Sequence, residues 1–136
     1  TKQDQQQLKA FMLAQIENPE LFEQFIGQYV TQSHHALEIL MPVDEINTAK
    51  LVDILSEPEI TFMPVSGIKS AIINDTQVTL FINGDNFYIN EKSLSMAQQL
   101  AQQTPITTSE MKKLNTCTQS TQLLLKLLNK GYWYIE

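Results

Sequence analysis

Leu80-Phe81-Ile82-Asn83-Gly84-Asp85-Asn86-Phe87 decides how this chain is read. Asn83-Gly84 lies between two apolar, β-prone runs. Asn-Gly in that setting is the strongest short-range hairpin signal, because both central positions of a type I′ turn need φ > 0. The spacing predicts strands over 76–82 and 87–89. Further along, Leu127-Leu128-Asn129-Lys130-Gly131-Tyr132-Trp133-Tyr134-Ile135-Glu136 reads as a helix that closes at Gly131 and passes into an aromatic strand. Glycine tolerates the left-handed position that ends a helix.

Between these two stretches the period is helical. Helices are expected at about 91–102, 108–114 and 119–130, the last crowded with Leu123, Leu124, Leu125, Leu127 and Leu128. Thr107-Thr108-Ser109-Glu110 fits a capping box. Before the hairpin, Ile60–Met63 and Lys69–Ile73 read as short strands around Pro64 and Gly67. Upstream of Glu57-Pro58 the pattern is helical again. A helix over about 44–56 turns Ile46, Leu51, Ile54 and Leu55 inward, and Pro58 stops it by pushing its predecessor out of the helical region. Residues 3–16 carry Leu8, Phe11, Met12 and Ile16 on one stripe. Asn18-Pro19-Glu20 opens another helix, striped with Phe22, Phe25, Ile26, Tyr29 and Val30. The whole reads as α+β: a helical segment over 1–56, then a winged-helix-like domain over 57–136 with a small antiparallel sheet.

Composition narrows the function. No apolar run approaches the ~20 residues of a membrane span, and no basic-then-apolar leader opens the chain. A start at Thr1 rather than Met reads as a piece of something longer. The formal net charge is −6, and all positive charge is lysine. Arginine is the side chain of choice for bidentate contacts with phosphate and guanine. Its absence, with the acidic balance, argues against nucleic acid as a partner. A single Cys117 excludes an internal disulfide and fits a reducing, cytoplasmic setting.

Residues able to carry chemistry are few. A non-haem Fe(II) site needs two histidines and a carboxylate on one face. The only histidines, His34 and His35, are adjacent and point apart on a strand or a helix. No His-x-Asp or His-x-Glu occurs. Cys117 has no base near it in sequence, so a plain thiol is expected. The four glycines are isolated and form no phosphate-cradling loop. The polar stripe of the last helix, Gln119, Gln122, Lys126 and Lys130, reads as a solvated face rather than a DNA-reading one. No catalytic, cofactor-binding or metal-binding residue is therefore assigned. The aromatic stripes do suggest association. Phe11, Met12, Phe22, Phe25 and Tyr29 are the expected homodimer contact, because two amphipathic helices ahead of a small domain have little else to cover.

Three stretches carry a family resemblance: Glu23-Gln24-Phe25-Ile26-Gly27-Gln28-Tyr29-Val30-Thr31, Leu80-Phe81-Ile82-Asn83-Gly84, and Leu127 to Glu136. In order and spacing they resemble the region after the catalytic barrel in bacterial JmjC-type oxygenases of the cupin 4 class, the ribosomal-protein hydroxylase group. The second is similar to that family's F-x-N-G hairpin, the third to its L-x-x-x-G-Y-W ending. The family's usual arginine at the start of the last domain is missing from Glu59-Ile60-Thr61-Phe62-Met63. The resemblance implies a non-catalytic C-terminal fragment serving dimerisation and protein-substrate docking. It also implies Fe(II) and 2-oxoglutarate in a parent enzyme's barrel, none in this chain, and a ribosomal protein as substrate. The alternative reading is a winged-helix interaction module of a regulatory or scaffold protein.

Overall fold

The computed structural model describes residues 3–7, 19–31 and 41–136, without the side chains of 19–22. Residues 3–7 are helical. The remainder of the expected first helix, with Leu8, Phe11, Met12 and Ile16, lies outside the described residues, as do Asn18, His34 and His35. Next along the chain come α1 (Pro19–Thr31), α2 (Thr48–Leu55), β1 (Thr61–Pro64), β2 (Ser70–Asn74), β3 (Val78–Ile82) and β4 (Asp85–Tyr88). A 3-10 turn (Glu91–Ser93) leads into α3 (Leu94–Ala101), then β5 (Ile106–Thr107), α4 (Thr108–Leu114), α5 (Thr118–Asn129) and β6 (Trp133–Ile135).

The hairpin forms as its turn dictates. Asn83 has φ 49° and Gly84 φ 86°, and Ile82 pairs directly with Asp85. Because the loop holds only those two residues, β4 begins at Asp85 rather than at Phe87. The strands order as β2-β3-β4 in one antiparallel sheet and β5-β1-β6 in a second. The second sheet rests on a two-residue strand, Ile106–Thr107, too short to show a period in the sequence. Pro64 is tolerated in the central strand β1. Thr61 and Val65 bond across to Glu136 and Tyr132, so Pro64's missing N–H would face the β5 side. There β5 pairs only with Thr61 and Phe62.

Helix starts obey their caps. Asn47 accepts a hydrogen bond from the Lys50 N–H at 2.8 Å, which starts α2 at Thr48 rather than at residue 44. Thr107 accepts from the Glu110 N–H at 3.2 Å and starts α4. All five leucines of α5 are buried, together with Phe62, Ile106, Met111 and Trp133. Each such side chain contributes about 1.5–3 kcal/mol relative to exposure. Leu51, Ile54 and Leu55 of α2, upstream of residue 57, join the same core.

Helix α1 packs on the β2-β3-β4 sheet through its smallest residue. A Cβ added at Gly27 would lie 2.4 Å from the Phe81 ring. One turn on, the Thr31 hydroxyl donates to the Gly27 carbonyl at 2.8 Å and accepts from the Gly84 N–H at 2.9 Å. The helix is thus fastened to the hairpin turn itself.

Candidate functional site

Two places gather the side chains that the sequence singles out. The first joins the hairpin to the C-terminal stretch. Gly131, at φ 77°, ends α5 and swings Tyr132 back toward the hairpin. The Lys130 ammonium and the Tyr132 hydroxyl both donate to Asp85 Oδ2, at 2.8 and 2.6 Å. Partial burial pushes the Asp85 carboxyl up, but the hydrogen bonds from Lys130 and Tyr132 outweigh it and hold the group below the ordinary carboxylate range. The bond to Asp85 raises Lys130, and burial with the same bond raises Tyr132. Every group of this cluster is committed to another. It acts as a latch between two motifs far apart in sequence, not as an acid–base pair awaiting a substrate.

The second place is an apolar groove of about 390 Å³ beside β6. Its apolar lining comes from Met41 and Val43 and from Leu128, Trp133, Tyr134 and Ile135. Consecutive strand residues point to opposite faces. A groove touching Trp133, Tyr134 and Ile135 together therefore runs along the strand's edge, and β6 is an edge strand. The segment bearing Met41 and Val43 is pinned further along, where Asn129 accepts from the Ile46 N–H at 2.7 Å and donates to its carbonyl at 2.9 Å. Val43 is fully exposed and Met41 69% exposed. The Trp133 indole N–H is buried and has no hydrogen-bond partner among the described residues. By sequence alone Pro42 reads only as a break. The signal that marks the groove is the pair of apolar residues flanking that proline.

Cys117 caps α5, with its Sγ 3.2 Å from the Ser93 hydroxyl and 3.3 Å from that of Ser120. Hydrogen bonds from Ser120 and Ser93 lower its pKa to about 7, more acidic than the plain thiol expected. Gln119 donates to the Tyr88 carbonyl and accepts from the Asn90 N–H. With Lys130 held by Asp85, half of the α5 polar stripe is engaged within the chain. Phe25 and Tyr29 are half-buried, their rings stacked at 5.9 Å. The Phe22 side chain lies outside the described residues, as do Phe11 and Met12. Among the described residues no three of His, Cys, Asp and Glu converge to hold a metal ion. These residues do not fit an iron centre. No described helix is long and apolar enough to cross a membrane.

Known proteins are similar to this chain in sequence and fold. A family described as the ROXA-like winged helix matches residues 14–134. The ribosomal protein uL16 3-hydroxylase of Escherichia coli (strain K12) is 26% identical over 134 residues, which is 98% of this chain and 34% of that protein. The chain thus spans about a third of its curated relative, in the C-terminal part. A solved structure of YcfD, a ribosomal oxygenase from Escherichia coli, in complex with cobalt and succinic acid, is similar with a TM-score of 0.76 and 25% identity. That likeness covers 100% of this chain and 36% of the oxygenase. Another structure of YcfD gives 0.75 and 26%, over the same shares.

Proposed function

Because this chain belongs to the ROXA-like winged-helix family, we propose that it is the non-catalytic C-terminal part of a JmjC, cupin 4-type 2-oxoglutarate-dependent protein hydroxylase, serving dimerisation and protein-substrate docking. The likeness of the whole chain to about a third of a ribosomal oxygenase carries the reading. Fe(II) and 2-oxoglutarate then belong to the parent's catalytic barrel and supply the oxidation there. The substrate is a ribosomal protein, as uL16 is for the relative, and the setting is cytoplasmic. The division at residue 57 is one of labour, since α2 shares the core with the strands and helices beyond it.

Dimerisation falls to the first two helices, through Phe11, Met12, Phe22, Phe25 and Tyr29. Helical geometry supports this. At about 100° per residue, Phe25 and Tyr29 are turned roughly 160° from the Gly27 face that meets the sheet. Aromatic anchors at the centre of such a contact cost about 2 kcal/mol or more on truncation.

Sedimentation and calorimetry on the purified chain test both roles. A dimer is expected, shifted to monomer by Phe25→Ala with Tyr29→Ala while the fold persists. Binding of uL16 without succinate release is expected when iron(II) and 2-oxoglutarate are supplied. A monomeric wild type at high micromolar concentration removes the dimer. Absence of uL16 binding removes docking, and turnover by this chain alone removes the non-catalytic assignment.

A further inference from the structure

We infer that the groove along β6 takes an extended, lysine- or arginine-bearing segment of a protein partner, which adds to the second sheet as a further strand. The inference deepens the docking half of the proposed function and rests on it only for the kind of partner.

Three observations converge. The first is the register. Thr61 and Glu136 exchange hydrogen bonds at 3.0 and 2.9 Å, and the Val65 N–H donates to the Tyr132 carbonyl at 3.1 Å. In an antiparallel pair the bonded positions alternate. Tyr134 therefore bonds inward to Met63, while Trp133 and Ile135 turn their main-chain N–H and C=O away from β1. Among the described residues those outward groups have no partner. An unpaired edge is a template for another strand.

The second observation is the lining. An incoming strand places alternate side chains on opposite faces. Here one row meets the apolar wall of Met41, Val43 and Leu128. The indole N–H of Trp133, a residue only 1% exposed, has no partner among the described residues and lies beside that wall. A carbonyl from a bound segment is the kind of group that satisfies it.

The third is charge. Exposed Asp44 and Lys50 line the groove, and exposed Glu45 and Glu136 adjoin its lining residues in sequence. The whole chain carries −6. An acidic protein whose residues next to the groove are mostly acidic draws a basic partner and repels an acidic one. The exposed Tyr134 ring adds a face on which a cationic side chain can rest.

Trp133 is the chain's sole tryptophan, so its fluorescence reports on the groove. The probe is a synthetic peptide of about eight residues alternating lysine with valine. Its controls are the glutamate–valine counterpart and a version N-methylated along one edge. The basic peptide is expected to shift the Trp133 emission and to protect the Ile135 amide from exchange. Both controls, and the chain carrying Asp44→Lys with Glu136→Lys, are expected to bind at least tenfold more weakly. Both substituted residues are exposed, so the fold is retained. No binding overturns the inference, as does equal binding of the N-methylated peptide. Protection of Ile135 in the dilute free chain shows the edge already covered from within the chain. Protection that grows with chain concentration shows a second copy there. Either result overturns the inference. The ribosomal protein of the proposed function separates the two readings. If it binds with Trp133 unperturbed, docking stands and the groove assignment falls. If the peptide binds as expected and that protein does not, the groove stands and the docking reading falls.

Discussion

The two three-stranded sheets are finished in different ways. In β2-β3-β4, α1 lies against the strands through Gly27 on Phe81 and through Thr31 on the Gly84 N–H. Asp85 at the turn is held by Lys130 and Tyr132, and the far end of β4 is tied to Gln119. That sheet is fastened on one face, at its turn and at the far end of β4. In β5-β1-β6, β5 is two residues long and passes straight into α4, while β6 borders an apolar groove. The same chain thus builds one sheet as a joint and leaves an edge of the other as a surface. On the proposed reading, recognition falls to the second sheet and rigidity to the first.

Substitutions at matched places probe that difference. Phe81→Ala, in the fastened sheet, removes a ring that is 1% exposed. A loss of about 3–5 kcal/mol is expected, read by chemical denaturation. Gly27→Val drives a side chain into that ring, with an expected loss of about 1–3 kcal/mol and faster amide exchange across residues 19–31. Unchanged stability in either variant removes the claim that α1 and Phe81 close this sheet.

Asp85→Asn is a smaller test, since Lys130 and Asp85 are 47% and 37% exposed and solvent screens the pair. A loss of no more than about 1 kcal/mol is expected. Its signature is pH dependence. The Asp85 carboxyl is lowered on folding, so its contribution is present above the unfolded value and lost as pH falls through the folded one. The raised Lys130 contributes below its unfolded value, and that contribution is lost as pH rises through the folded one. The latch therefore works between about pH 4 and pH 10, and the variant's stability flattens on the acid side. An unaltered acid limb contradicts this. Tyr134→Ala, on the open edge, is expected to change stability by no more than about 0.5 kcal/mol. A core-sized loss there shows the edge to be as closed as the other sheet.

Much of this fold is legible in the sequence, for local reasons. Asn83-Gly84 dictates its own turn, Gly131 its own helix end, and the five leucines of α5 their own burial. The resemblance drawn from three short stretches agrees with the family the chain belongs to. The hidden features depend on groups distant in sequence. The Asp85–Lys130–Tyr132 latch joins two motifs about 45 residues apart, each of which explains itself locally. The acidity of Cys117 needs Ser93 to arrive from another element. The two-residue β5 has no period to detect. The groove needs Met41 and Val43 to meet β6, and the apolar pair flanking Pro42 marks only one side of that meeting. The two proposed contact surfaces also differ in kind: an aromatic stripe declares itself by spacing, whereas a strand edge declares itself only by the absence of a neighbour.

Single-residue amide exchange on the free, dilute chain tests the contrast most directly. Tyr134 and Glu136 bond inward to β1, and Ile135 faces out. The account predicts that the Ile135 amide exchanges at least about tenfold faster than its two neighbours, while amides of β3, paired on both sides, exchange only by larger openings. Equal protection of Tyr134, Ile135 and Glu136 would show that the edge is already paired and would contradict it.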